Sequence, residues 1–147
     1  MLTAPSVEID SCDYLFLREI TELEKGELRL AVFEGRAIAE SVVVNIGGTQ
    51  ITDLHPVRPT GKLFEITWRT YITYSVRNES YCAVSKDEEI AVGKKFRIYS
   101  KSHFLDFVSR GTFATAEYPG SFQHYSVLCE NHVIDVVSTD SPKILQL

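Results

Sequence analysis

The sequence predicts a mainly β domain, an antiparallel β-sandwich or open barrel of about seven to eight strands with one short helix. Three observations lead to this prediction. Apolar and polar residues alternate through most of the chain, turn residues separate the alternating segments at short intervals, and helical spacing is clear only near residues 103–110. Alternation is typical of half-buried strands, and short strands separated by turns are typical of sandwiches and barrels.

The clearest alternation lies between residues 64 and 77. Every second position on one side is apolar except Thr70, and the positions between them are mostly polar. The apolar side consists of Phe64, Ile66, Trp68, Ile72, Tyr74 and Val76. Because successive side chains point to opposite faces of a strand, this segment predicts a half-buried antiparallel strand, or two collinear strands with a bend. Trp68 should lie on the buried side.

Shorter alternating segments predict the remaining strands, and pairs containing glycine or asparagine predict turns between them. The remaining strands are expected at residues 14–20, 27–33, 41–46, 50–53, 95–100, 122–129 and 132–138. The turns fall at Lys25-Gly26, Gly47-Gly48 and Glu130-Asn131. Glycine and asparagine accept the left-handed backbone conformation that tight hairpin turns require. The segments 53–61 and 85–93 are predicted to be loops.

The segment around residues 103–110 has apolar residues at helical spacing. Ser102 suits the N-cap, Gly111 suits the position after the last turn, and Arg110 is favourable at the negative end of the helix dipole. These features predict a short helix over residues 103–110. The chain contains no internal repeat, low-complexity tract or linker, so we expect residues 1–147 to form a single domain.

Negative charge is concentrated in the first part of the chain. Residues 1–40 hold nine acidic residues against four basic ones, whereas the rest of the chain is balanced. This distribution argues against nucleic acid or an anionic membrane as partner, because binding phosphates requires clustered lysine and arginine. It favours a basic protein partner, with Glu19, Glu22, Glu24 and Glu27 around the first hairpin turn as the binding residues. The alternative is a solvated acidic edge without a partner.

Cysteine usage and the N-terminal residues favour a cytoplasmic protein. The three cysteines are far apart and form no Cys-x-x-Cys motif, which indicates free thiols in a reducing compartment. The first residues are acidic, which is the wrong charge for a signal peptide, and no apolar stretch approaches the roughly 20 residues of a membrane span. Phosphate-loop, dinucleotide and His-Glu-x-x-His motifs are absent from the sequence, so no cofactor is expected.

The C-terminal hairpin holds the candidate catalytic residues. With Glu130-Asn131 as its turn, Ser126 lies opposite Asp135, and His124 lies on the same face. A catalytic triad needs the base bonded to the nucleophile and the acid bonded to the base. The strand positions instead predict a direct pair of Ser126 with Asp135, so a cross-strand hydrogen bond on a partly exposed sheet face is the alternative to catalysis.

Cys129 and His132 are the candidate metal ligands, because the same turn brings them opposite one another. A zinc site needs three or four protein ligands, and the remaining histidines and cysteines show no ligand spacing. A buried thiol beside a hairpin histidine is the alternative, and we expect no metal site.

Three stretches of the chain resemble a family of small uncharacterised bacterial single-domain proteins. They are W-x-x-Y-x-x-Y-x-V-R-N-E-S at 68–80, F-R-I-Y-S-K-S-x-F-L-D at 96–106 and H-x-I-D-V-V-S-T at 132–139. The resemblance covers roughly the C-terminal two-thirds of the chain. It implies a bacterial, cytosolic, one-domain protein and transfers no catalytic residues. Small acidic domains of this kind are often immunity or antitoxin proteins.

Two functional hypotheses follow. The first is a non-enzymatic protein-binding domain, a toxin-neutralising immunity protein that acts through its acidic surface. The second is a small-molecule-binding β-domain or a small hydrolase that uses a polar pocket with His124, Ser126 and Asp135. A deep pocket lined by these three residues favours the second hypothesis, whereas a flat acidic surface favours the first.

Overall fold

The computed structural model describes residues 4–83 and 87–147. In chain order its helices and strands are α1 (Ala4–Asp10), β1 (Tyr14–Glu22), β2 (Leu28–Ala37), β3 (Val42–Ile46), β4 (Thr49–Leu54), β5 (Val57–Arg58), β6 (Leu63–Trp68), β7 (Thr73–Asn78), β8 (Ile90–Val92), β9 (Phe96–Lys101), α2 (His103–Gly111), β10 (Gln123–Leu128), β11 (His132–Ser138) and β12 (Lys143–Gln146). The predicted mainly β class is confirmed.

The strands form two antiparallel sheets that face each other as an open sandwich, not a closed barrel. The first sheet has the order β1-β2-β6-β12, with β5 paired to one end of β2. The second sheet has the order β7-β11-β10-β9-β8. Strands β3 and β4 form a separate two-stranded hairpin in which every residue is exposed. The described part of the chain thus has more strands than the sequence predicts.

The core lies between the two sheets and is built from the inward side chains of both. The first sheet contributes Leu15, Leu28, Leu30, Val32, Phe64, Ile66, Trp68 and Ile144, and the second contributes Phe96, Tyr125, Val127, Ile134 and Val136. The Trp68 ring has no accessible surface and lies 5.7 Å from the Tyr125 ring across the sandwich. Trp68 is therefore on the buried side, as predicted.

The long alternation over residues 64–77 is divided between the two sheets. Strand β6 belongs to the first sheet and β7 to the second, so the two are separate strands but not collinear ones. Residues 69–72 cross between the sheets, and the backbone N–H of Arg69 donates to Asp140 at 2.8 Å there. The alternation continues through the crossing because the even-numbered side chains of both strands lie on the core-facing side. Tyr74 packs against the core, but Val76, which was predicted on the buried side, is 44% exposed towards the end of β7.

The predicted hairpin turns and the helix N-cap are confirmed, whereas the prediction for Gly111 is wrong: Gly111 is the last residue of α2, and Thr112 is the C-cap. Gly47, Gly48 and Asn131 all adopt positive φ at the predicted hairpin turns. Helix α2 begins where expected, and the Ser102 hydroxyl caps it by accepting the Leu105 N–H at 3.0 Å.

Several short elements are not predicted by the sequence. These are α1, β5, β8 and β12. Strands β5 and β8 lie in segments predicted as loops, of which residues 85 and 86 fall outside the described residues. Each missed strand has at most four residues, too few to show a period, and exists because a longer neighbouring strand pairs with it. No helix within the described ranges is long and apolar enough to cross a membrane.

Candidate functional site

The C-terminal hairpin has the predicted register. Ser126 pairs with Asp135, and the flanking pairs place Tyr125 and Val127 in the core. His124, Ser126 and Asp135 therefore share the face of the second sheet that points away from the core, which we call the outer face. They are not partly exposed as expected, since each retains 2% or less of its accessible surface. Helix α2 contributes to this burial, because its Phe104 ring packs edge-on to His124 at 5.2 Å.

The predicted side-chain hydrogen bond of Ser126 with Asp135 does not meet hydrogen-bond geometry, although the Ser126 hydroxyl is close enough to help lower the pKa of Asp135. Instead, His124 Nε2 lies 2.8 Å from Asp135 Oδ1, along the diagonal between the two strands. The imidazole is long enough to span that diagonal. The Ser126 hydroxyl has no hydrogen-bond partner among the described residues.

The other ring nitrogen of His124 contacts a residue that the sequence identified only as a helix cap. Ser102 Oγ lies 2.7 Å from His124 Nδ1 and also accepts the Leu105 N–H. In the neutral tautomer with the proton on Nε2, His124 donates to Asp135 and accepts from the Ser102 hydroxyl, so all polar atoms of the ring are satisfied. No local signal links Ser102 to His124, because they are 22 residues apart.

Asp135 is held ionised by its partners. Burial raises its pKa, but the hydrogen bond from His124 and the positive charge of Arg77 outweigh burial, so its pKa lies below the usual value. Arg77 donates from Nε to Asp135 Oδ2 at 3.1 Å, and its Nη2 lies at the same distance. The two carboxylate oxygens therefore have different partners, and the carboxylate is locked in place.

His124 and Asp135 line a cavity of about 530 Å³, which we call the first cavity. Its polar and aromatic lining consists of Ser75, Arg77, Asp87, Glu88, Glu89, Tyr99, His103, Phe104, Phe107, His124 and Asp135. Tyr99 stacks on His124 with ring centroids 4.4 Å apart, while Phe107 is 53% exposed. The volume is within the range of small-molecule sites. Ser126 does not line this cavity. Of the three predicted residues, the cavity lining therefore includes only His124 and Asp135.

The geometry around His124 suits ligand binding better than catalysis by a serine nucleophile. A serine nucleophile must reach substrate and be bonded to its base. The Ser126 hydroxyl makes no bond to His124, and the Ser102 hydroxyl is buried under α2 and engaged in capping. Neither serine therefore meets the requirements of a nucleophile in an acyl-transfer centre with His124 as the base.

The four predicted binding glutamates surround the turn between β1 and β2, on the first sheet. Glu19 lies 3.8 Å from Arg29, and Glu22 accepts a hydrogen bond from the Tyr71 hydroxyl. Glu24 is exposed in the turn, and Glu27 is partly buried. The structure thus brings the four residues to one hairpin tip, which we call the acidic tip, but two of them already have partners.

The predicted metal candidates form no ligand set. Their backbones pair, with the Cys129 N–H donating to the His132 carbonyl at 2.9 Å. Burial raises the pKa of the Cys129 thiol to about 12, which disfavours the thiolate that a metal needs. Within residues 4–83 and 87–147, no three histidine, cysteine or acidic side chains cluster as metal ligands would.

Comparison with protein families, with curated proteins and with solved structures finds no match to this chain.

Proposed function

We propose that this protein binds a small cationic ligand in the first cavity. The observation that carries the proposal is the charge of the lining. Four carboxylates, Asp87, Glu88, Glu89 and Asp135, border the cavity, and Arg77 is already paired with Asp135. Glu88 lies 2.8 Å from His103 Nε2, and Glu89 accepts the His103 backbone N–H. With these contacts the acids still outnumber the basic groups of the lining, so the cavity attracts a cation and repels an anion.

The aromatic walls support the same class of ligand. Tyr99, Phe104 and Phe107 line the cavity beside the acidic residues. The face of an aromatic ring attracts a guanidinium or ammonium group, and a planar guanidinium can also stack on it. The buried network holds the His124 ring, on which Tyr99 stacks, so this aromatic wall of the cavity is in place before ligand enters.

Calorimetric titration with L-argininamide, which is cationic at neutral pH, tests the proposal. Replacing Asp87→Asn and Glu88→Gln together should weaken binding roughly fivefold, because two attractive charges are removed. Phe107→Ala should weaken it roughly threefold through loss of the cation–π contact. The matched control, Glu24→Gln with Glu27→Gln, removes the same charge from the acidic tip and should leave the affinity unchanged. If the wild-type protein does not bind L-argininamide, or binds acetate with equal affinity, the proposal is wrong.

A second candidate function is neutralisation of a basic protein partner through the acidic tip, as an immunity protein would do. The observation in its favour is that Glu19, Glu22, Glu24 and Glu27 surround one exposed turn. A cytoplasmic location would fit the free state of the three cysteines. Two of the four glutamates already have partners, because Glu19 lies near Arg29 and Glu22 accepts from the Tyr71 hydroxyl.

A partner recovered from the native host would test this second function. Glu24→Lys with Glu27→Lys should lower the association rate and its sensitivity to salt, since steering by charge acts on the encounter. An acidic partner, or an association rate that ignores both salt and the substitutions, would rule the acidic tip out.

A further inference from the structure

We propose that the ligand of the first cavity also carries a carboxylate, which Arg97 and Ser126 bind in an adjoining second cavity. The inference rests on the proposed function and makes the ligand a zwitterion of the amino-acid type. The chemical reasons are a buried hydroxyl and a guanidinium that has no carboxylate partner in the described part of the chain, together with the continuity of the two cavities.

The second cavity has a volume of about 360 Å³ and shares part of its wall with the first. Arg77, Ala83, Glu89 and Tyr99 line both cavities, so the two are neighbouring parts of one surface. Their volumes together suit a ligand that extends from one into the other.

Ser126 supplies a polar group without a partner. It retains only 1% of its accessible surface, borders the second cavity, and its Oγ makes no hydrogen bond within the described part of the chain. It lies close enough to Asp135 to help lower the pKa of that carboxyl, yet the two groups do not meet the geometry of a hydrogen bond. Buried hydroxyls are nearly always satisfied, so an acceptor oxygen from a ligand would complete this one.

Arg97 supplies the positive charge. It lies directly opposite Ser126 in the pairing of β9 with β10. Its Nε donates to the Lys94 carbonyl at 3.2 Å and its Nη1 to the Tyr99 hydroxyl at 3.4 Å. Among the described residues no carboxylate lies within ion-pair distance of it, unlike Arg77, which is paired with Asp135. The guanidinium therefore keeps both its charge and free donors for a ligand carboxylate.

Two acidic residues also line the second cavity, and their placement is compatible with a zwitterion. Glu89 accepts the His103 backbone N–H at 3.2 Å, and Glu79 is exposed at the end of β7. Both lie on the segment between β7 and β8, whereas Arg97 and Ser126 lie on the strands beneath. Acidic Glu79 and Glu89 thus come from a different part of the chain than basic Arg97, and the lining offers partners for both signs of a zwitterion.

The test compares L-arginine with L-argininamide by calorimetry, because the two probes differ only in the carboxylate. If the acidic lining acted alone, the amide would bind more tightly, since it carries the larger positive charge. With a carboxylate subsite, L-arginine binds more tightly by about tenfold, the value of one charge-assisted hydrogen-bonding pair.

Arg97→Gln should remove this advantage of L-arginine and leave argininamide binding unchanged or slightly tighter. Ser126→Ala, which only deletes the unpartnered hydroxyl, should reduce the advantage with little effect on the fold. Lys101→Gln, on the same strand but lining neither cavity, is the charge-matched control and should change neither affinity. Argininamide binding as tightly as L-arginine would overturn the carboxylate subsite and leave the cation site intact. Absence of binding by both probes would overturn both proposals.

Discussion

His124 Nε2 lies 2.8 Å from Asp135 Oδ1 on the outer face of the second sheet, and both side chains are almost fully buried. The pair connects three separate parts of the chain, because Ser102 at the start of α2 contacts the imidazole and Arg77 on β7 contacts the carboxylate. This network holds the floor of the first cavity, and it also contributes to the stability of the fold.

Asp135→Ala should therefore be strongly destabilising. The substitution leaves the Nε2–H of His124 buried without an acceptor and removes the anionic partner of Arg77, which together should cost about 3 kcal/mol. Urea unfolding at pH 7 measures the loss. Asp106→Ala, an exposed acid on α2, is the control and should stay within about 0.5 kcal/mol. A loss of that same small size for Asp135→Ala would show that the network does not stabilise the fold.

The contribution of Asp135 should disappear in acid. Its pKa in the folded protein is below the ordinary value of 3.8, so its stabilising effect is complete above that value and is lost as pH falls through the lowered pKa. The difference in unfolding free energy between wild type and Asp135→Asn should be largest near pH 6 and shrink below about pH 4. Glu34 and Asp140 also have lowered pKa values, but both residues are present in wild type and variant. Their contributions to the unfolding free energy therefore cancel in the difference between the two proteins. A difference that is constant with pH would contradict this assignment.

The three thiols should differ in reactivity. Burial raises the pKa of Cys129 to about 12, and burial together with the charge of Glu34 raises the pKa of Cys12 to about 11. Both should remain protonated and unreactive toward a disulfide reagent at pH 8, while the partly exposed Cys82 reacts. One thiol per native chain and three per unfolded chain should be counted. In Cys82→Ser, a fast-reacting thiol would show that a buried cysteine is accessible.

Trp68→Ala should cost roughly 3–5 kcal/mol, as large-to-small substitutions in a core do. The indole has no accessible surface, and its Nε1 has no hydrogen-bond partner among the described residues, so the loss comes from packing alone. Tyr81→Ala, at an exposed position, should be nearly neutral. A loss below about 1 kcal/mol at Trp68 would mean that the core tolerates the vacated volume, contrary to its close packing.

Features with a short-range cause were predictable. Three such features follow from residues within about ten positions of one another. They are the glycine and asparagine turns, the Ser102 cap and the strand register that places Ser126 opposite Asp135. The burial of Trp68 also follows, because alternation alone assigns a side chain to one face of its strand.

The candidate site was only partly predictable, since its residues meet through long-range packing. The alternation of residues 64–77 is the same whether β6 and β7 are collinear or lie in opposite sheets, because both arrangements place the same side chains on the core-facing side of each strand. Likewise, strand register placed His124 and Asp135 on one face, but their hydrogen bond depends on side-chain length across a diagonal.

The sequence by itself determined the fold class, the faces of the main strands, the C-terminal hairpin and helix α2, because each rests on local periodicity or backbone preference. The tertiary structure alone decided that α2 lies over the outer face of the second sheet, that Ser102 contacts His124, and that Arg77 neutralises Asp135. The two polar contacts join residues 22 and 58 positions apart, and no local pattern encodes which sheet a strand joins or which helix covers it.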